Sequence, residues 1–311
     1  MLPAQGKIAV FGPRAGMDLS DLPTERMVLI SGFKPDVDAF TAQGYTCQPM
    51  PDADYAAALV VLPRSKAQAR AMIAAASEAP LVIVDGQKTD GVESVLKDLR
   101  KREAIEGTIS KAHGKLFWFH TTADYTDWRG AAKTVDGFVT RPGVFSADGI
   151  DPASALLMEH LPRDLSGKVA DLGAGWGYLS ASMLAKCPKI KQLHLVEAEF
   201  AALECARQNV QDERAEYHWA DATTWTAPAR LDAVVMNPPF HVGRAAEPDL
   251  GRAFISAAAG ALTPNGQLWL VANRQLPYET ALQVAFADFE EVGGDKRFKI
   301  LHALRPTRQR R

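Results

Sequence analysis

Two short motifs place reactive and ligand-holding residue types at spacings that serve chemistry. The first is Asp171-Leu172-Gly173-Ala174-Gly175-Trp176-Gly177-Tyr178, which follows directly on the strand-like run Lys168–Leu172. Glycines at alternate positions permit a tight strand-to-helix turn and let a ligand lie against bare backbone. The G-x-G-x-G spacing departs from the G-x-G-x-x-G of dinucleotide binders. Asp171 stands at the strand end just before Gly173, Gly175 and Gly177, where a carboxylate repels a pyrophosphate and suits a cationic, amine-bearing ligand. Glu197 closes the next strand about 20 residues beyond Gly177, where a ribose-binding acid belongs. Glu199 competes for that role, but Glu197 immediately follows the apolar run. After a third strand, Asp221 and Ala222 are placed to take an adenine amino group and cover the ring. A nucleoside carrying an amino acid satisfies all three features, and the cofactor this indicates is S-adenosylmethionine.

The second motif is Asn237-Pro238-Pro239-Phe240, into which the run Leu231–Met236 leads without a break. Two prolines fix φ and remove two donors, so the loop is stiff. The Asn237 side-chain oxygen and the Pro238 carbonyl together suit both protons of a planar exocyclic amine. Such a grip aims the nitrogen lone pair at an electrophile and stabilises the charge that grows on it. Phe240 offers a flat face for a base. Asn237 also borders the cofactor site. Neither a metal nor a covalent nucleophile is needed, because alignment carries most of the catalysis.

These motifs need parallel strands whose carboxyl ends share one rim. Strand-like runs at Lys168–Leu172, Gln192–Val196, Ala215–Trp219, Leu231–Met236 and Gln267–Ala272 alternate with helical stretches at Tyr178–Lys186, Ala201–Asn209, Leu250–Leu262 and Tyr278–Phe286. Glu290–Gly294 and Phe298–Leu304 close the series as an antiparallel pair around a Gly-Gly-Asp turn. The first half has the same order of elements: strands at Lys7–Phe11, Met27–Ile30, Tyr45–Gln48, Leu59–Leu62 and Leu81–Val84, helices at Lys66–Ala76 and Gly91–Lys101. The repeated order points to an internal duplication. The fold class expected is α/β, with two tandem Rossmann-like domains, 1–140 and 141–311, the second built on a mostly parallel seven-stranded sheet.

At 311 residues, 47% hydrophobic and 23% charged, the chain has the composition of a globular protein of about two domains, which excludes a disordered or fibrous one. The formal charge of −2 gives no global attraction for nucleic acid, so an RNA partner must be met by local basic patches. One such run is 296–311, with seven basic residues and no acid. Cys47, Cys187 and Cys205 form no C-x-x-C or Cys/His cluster, so a metal site is not expected. The apolar runs are strand-length, no leader is read at the amino terminus, and the expectation is a cytoplasmic protein without a membrane partner. The sequence does not set the oligomeric state, and a monomer is favoured.

DLGAGWG, VEAE and NPPF resemble class I S-adenosylmethionine-dependent methyltransferases acting on exocyclic nitrogen. GVFSADGID, NPPFH, VAN-x-x-LPY and RFKI make the chain similar, over about 141–304, to the bacterial ribosomal small-subunit RNA guanine-N2 methyltransferases. That family joins a degenerate amino-terminal methyltransferase-like domain to an active carboxyl-terminal one. The resemblance implies that Phe145 and Asp148 lie near the cofactor, with Phe145 flanking the methionine portion, and that Asn237, Pro238 and Phe240 grip the target guanine. It also makes Arg297, Phe298 and Lys299 a substrate-contacting segment. His241 and Arg244, just past the rigid loop, are further candidates for RNA contact. The first half departs from an active copy: LPRSK stands where NPPF would, and GPRAG lacks the strand-end acid. Its expected role is folding and RNA placement, the partner being ribosomal RNA or the small ribosomal subunit. N-P-P-[FY] also serves methylation of adenine N6 or of a glutamine amide, and a cofactor-binding RNA assembly factor without turnover would keep the same fold. A nicotinamide oxidoreductase would need hydride-transfer residues and the G-x-G-x-x-G spacing, and neither is present.

Overall fold

The alternating runs form two seven-stranded sheets in a computed structural model that describes residues 2–52, 54–239, 241–242, 245–246 and 248–307. The chain divides into two units, Met1–Lys133 with Arg141–Gly143, and Thr134–Thr140 with Val144–Arg311. The boundary expected at 140/141 falls inside this double crossing.

In the first unit the order along the chain is β1 (Ile8–Phe11), β2 (Met27–Ile30), α1 (Lys34–Ala42), β3 (Thr46–Gln48), β4 (Ala57–Val61), α2 (Lys66–Ala76), β5 (Leu81–Gln87), α3 (Val92–Leu99), β6 (Gly107–Lys111) and β7 (Gly114–His120). The sheet runs β3-β2-β1-β4-β5-β7-β6, with β7 antiparallel to both neighbours. Every residue of β1 and β2 is buried, as central parallel strands covered on both faces require. The β6–β7 connection passes through Ala112 and His113, both at positive φ (48° and 60°), the conformation of a tight hairpin turn. After β1 no α-helix begins before β2. Instead the Ala15 N–H donates to Asp36 Oδ1 at 2.8 Å and Arg14 Nη2 donates to the Leu62 carbonyl at 3.4 Å. These two hydrogen bonds hold the loop that stands where a glycine turn and helix would otherwise follow the strand.

The second unit contains β8 (Lys133–Val135), β9 (Phe138–Thr140), α4 (Pro152–His160), β10 (Gly167–Leu172), α5 (Tyr178–Lys186), β11 (Ile190–Glu197), α6 (Phe200–Asn209), β12 (Ala215–Trp219), β13 (Leu231–Met236), β14 (His241–Val242), β15 (Ala245–Ala246), α7 (Pro248–Ala261), β16 (Leu262–Asn273), α8 (Glu279–Ala285), β17 (Phe286–Gly294) and β18 (Phe298–Pro306). Its sheet order, β12-β11-β10-β13-β16-β18-β17, is that of the first sheet shifted along the chain. Alternate residues of the central strands serve the two faces. Val169, Leu193, Leu195, Ala233 and Val235 pack with Leu157 of α4, Met183 of α5 and Ala206 of α6. Ala170, Leu172, Val196, Val234 and Met236 pack with Phe254 and Ile255 of α7 and Leu282 of α8. Strands β10–β13 and β16 are mutually parallel, so their carboxyl ends share the rim that the motifs require.

Among the described residues no helix is long and apolar enough to cross a membrane.

Candidate active site

Register puts the motifs side by side. Leu172 of β10 pairs with Val196 of β11 and with Met236 of β13. The next residues on these three adjacent strands are Gly173, Glu197 and Asn237, so they line one rim across about 10 Å of sheet. Glu197 in turn pairs with Trp219, two residues before Asp221. The strand order reverses between β10 and its flanks, the point where open parallel sheets accept ligands.

The glycine turn enters α5 through three left-handed residues, Gly173 (φ +76°), Gly175 (+55°) and Gly177 (+91°). A Cβ on Gly177 would stand 2.9 Å from Val210 Cγ2 and 3.2 Å from Ala206 Cβ, so its bareness lets α5 and α6 approach. A Cβ on Gly175 would meet nothing within 4 Å, which marks open ground over the turn. Glu197 binds this turn: Oε2 accepts the Gly175 N–H at 2.8 Å and Oε1 accepts the Glu199 N–H at 2.7 Å. Burial raises its pKa against these hydrogen bonds. An ionised carboxylate has about four acceptor sites, so these donors leave it capacity for a ligand's hydroxyl. Glu199 is the residue before α6 and donates its backbone to Glu197, which settles their different positions.

Asp171 is fully buried. Its Oδ2 accepts from Ser180 Oγ at 2.7 Å, while Oδ1 meets no donor among the described residues. Burial, offset in part by Ser180 and reinforced by the Glu197 charge, pushes its carboxyl up to about 7. A buried acceptor oxygen without a donor fits a ligand that brings one. Asp221 Oδ1 accepts the Thr223 N–H and hydroxyl at 2.8 and 2.7 Å, and Ala222 is buried beneath it. Phe145 is 57% exposed, an apolar ring at the mouth of the same turn, and its carbonyl accepts Trp176 Nε1 at 2.9 Å. Trp176 itself is buried against Phe138 and Tyr178. Asp148 lies on the exposed side of this loop.

At the end of β13 the Asn237 amide is oriented. Its Nδ2 donates to Asp151 Oδ2 and to Ser154 Oγ, each at 2.9 Å. A carboxylate only accepts, so the NH2 side must face Asp151, and Oδ1 is the side turned away from α4. Asp151 also caps α4 by accepting the Ser154 N–H at 2.8 Å, and Pro152 occupies the first helical turn. Sequence reasoning missed Asp151 and Ser154. The signal was available as a D-P-x-S helix start, which marks the amino terminus of α4. Pro238 is buried beside Asn237. Phe240 and Arg244 lie outside the described residues, as does the side chain of His241, whose backbone pairs with Ala246 in the β14–β15 ladder.

The carboxyl-terminal segment separates into two roles. Arg297 and Phe298 stand on the same rim, since Phe298 pairs with Asn273 at the carboxyl end of β16. The exposed Arg297 guanidinium lies 5.0 Å over the Phe298 ring. Lys299 is only 4% exposed, and its Nζ donates to the Leu276 carbonyl at 2.8 Å and to Glu279. Its ammonium therefore braces the loop after β16, and the substrate contact expected of it is not what this geometry offers. Arg274, not singled out by sequence, stands exposed beside Arg297 and pairs with Glu291 at 2.9 Å. A separate concavity of about 330 Å³ at the β6–β7 turn of the first unit, lined by Lys88, Glu93, Lys111 and Lys115, contains none of these residues.

Comparison with known proteins agrees with this geometry. The methyltransferase small domain family matches residues 136–302. Ribosomal RNA small subunit methyltransferase C of Erwinia tasmaniensis is 31% identical over 230 residues, covering 72% of this chain and 67% of that protein. The Hahella chejuensis protein of the same name is 31% identical over 233 residues, 71% of this chain and 68% of its own length. Among solved structures, a Thermus thermophilus 16S rRNA N2 G1207 methyltransferase in complex with AdoMet and guanosine superposes with a TM-score of 0.80. It is 25% identical, and the match covers 98% of this chain and 90% of that one.

Proposed function

Because the chain belongs to the ribosomal RNA small subunit methyltransferase C family, we propose that it transfers the methyl group of S-adenosylmethionine to the exocyclic N2 amine of a guanine in small-subunit ribosomal RNA. The observation that carries this reading is the oriented Asn237 amide, in line across the rim with Gly173 and Glu197. Glu197 and Asp221 would hold the ribose and adenine of the cofactor, and Asp171 and Phe145 its amino-acid portion. When bound, S-adenosylmethionine supplies an electrophilic methyl carbon on a sulfonium.

The chain's own residues then act by placement. Asn237 Oδ1, with the Pro238 carbonyl, accepts the N–H bonds of the target amine and keeps its lone pair pointed along the line of attack. The same acceptors stabilise the positive charge that develops on nitrogen. No side chain need remove the amine's proton in the transition state, because the charged product amine is acidic and sheds it to water. Arg297 and Arg274 suit the phosphates of the RNA around a guanine drawn from its stack. The first unit, in which no α-helix follows β1 before β2 and LPRSK stands in place of N-P-P-F, supports folding and RNA placement. A ribosomal RNA substrate and three cysteines that form no disulfide fit a cytoplasmic enzyme.

The direct test supplies radiolabelled S-adenosylmethionine with purified small subunits and with naked ribosomal RNA. The reading requires label in RNA from at least one of the two. Label confined to protein, or cofactor binding with no transfer to either, contradicts it.

Asp151 is a positioning residue in this scheme. Asp151→Ser keeps a helix-capping hydroxyl but is too short to reach Asn237. Losing a hydrogen bond to a charged partner is expected to lower kcat about tenfold, with cofactor KM and melting temperature nearly unchanged. Steady-state transfer rates beside a thermal melt check this.

A further inference from the structure

The residues on the α7 side of the sheet edge include a group that methyl transfer does not use. His194 of β11 pairs directly with Glu216 of β12, and His218 lies two residues further along the same face of β12. Pairing across parallel strands and the two-residue strand period thus aim three ligating side chains at one point. His194 Nδ1 and His218 Nε2 are 3.0 Å apart, His194 Nδ1 and Glu216 Oε2 are 3.3 Å apart, and His218 Nε2 and Glu216 Oε2 are 4.0 Å apart. The circle through those three atoms has a radius of about 2.0 Å, the length of a zinc–nitrogen or zinc–carboxylate bond.

We propose that His194, Glu216 and His218 form a site for a divalent d-block cation of the zinc class, with water as its fourth ligand. Two imidazoles and one carboxylate are a donor set such ions take up, and the fourth position faces solvent because Glu216 is half-exposed. The surroundings prepare the donors. Gln192 Nε2 donates to Glu216 Oε1, which holds the carboxylate and leaves Oε2 turned toward the histidines. Trp225 packs on both imidazoles, with ring centroids 5.7 and 5.0 Å away, and fixes their planes.

The role this assigns is structural. His194 lies three residues before Glu197 and His218 three before Asp221, so the cation would clamp the edge strand to its neighbour beneath the ribose- and adenine-facing acids. It touches none of the groups at the Asn237 rim. Spacing in the sequence hides the cluster because 24 residues separate His194 from His218.

The test strips the full chain with a chelator and titrates Zn2+ by calorimetry, followed by Co2+ absorption spectroscopy. Expected are one equivalent of bound metal, a melting temperature raised by several degrees at about 100-fold excess over Kd, and visible bands of four-coordinate cobalt. Glu216→Gln, which preserves shape at a half-exposed position, should weaken binding at least tenfold, and E216Q/H218Q should abolish it while the metal-free melting temperature holds. Equal affinity in wild type and the double variant overturns the proposal. So does a thiolate-to-cobalt charge-transfer band, which would put the metal on cysteine.

Discussion

Asn237→Ala is expected to lower kcat for methyl transfer about 10²- to 10³-fold, the range lost when one preorganised polar group facing developing charge is removed. The expectation follows from where the amide is held. Both N–H bonds of Asn237 are committed to Asp151 and Ser154, so its oxygen reaches the rim already oriented and spends nothing on reorganisation during reaction. Alanine removes that acceptor and leaves β13 and the buried Met236 and Pro238 in place. Cofactor Kd should move much less than kcat. Asn237→Asp should fare little better, because a second carboxylate would face Asp151 without donors to offer it. Single-turnover rates with saturating cofactor read the effect. A variant retaining more than a tenth of wild-type kcat would remove Asn237 from the reaction.

Asp171→Asn is expected to weaken S-adenosylmethionine binding about 10- to 100-fold, the worth of one or two charged hydrogen bonds. The pH dependence gives a sharper signature. Burial and the Glu197 charge raise the Asp171 carboxyl from its ordinary value near 3.8 to about 7 in the ligand-free protein. A raised carboxyl costs the fold stability progressively as pH climbs from the unfolded value through the folded one, because the unfolded state then loses its proton first. A cationic amino group instead favours the ionised form. Wild-type affinity should therefore rise from about pH 6 to about pH 8, and binding near pH 6 should release a proton. Asp171→Asn should flatten that dependence and be at least as stable as wild type near pH 8. Calorimetry in buffers of different ionisation enthalpy measures the proton count. A pH-independent wild-type Kd with no released proton would show that Oδ1 does not meet the cofactor's cation.

Much of this was legible in the sequence, for physical reasons that differ by element. The parallel strands of the second unit read clearly because burial on both faces demands apolar runs such as Ala233–Met236. The glycine turn read clearly because three positive-φ residues leave few alternatives to glycine. The β6 strand did not, since Gly107–Lys111 is exposed almost throughout and carries no apolar alternation. Helix α4 was missed for want of weighing Asp151 as a cap. Its contact with Asn237 spans 86 positions, beyond any local pattern. The family resemblance made Lys299 part of a substrate-contacting segment, whereas the structure buries it against Glu279. Local chemistry survives in sequence, and the direction a side chain takes across a sheet does not.

The amine that Asn237 would hold is N2 of guanine. Digesting small-subunit ribosomal RNA to nucleosides after reaction with the wild-type protein, and identifying the methylated product by mass spectrometry against standards, tests it most directly. Expected is N2-methylguanosine, formed by wild type and at least about 100-fold more slowly by Asn237→Ala. N6-methyladenosine, or a guanosine methylated at any other atom, would contradict it.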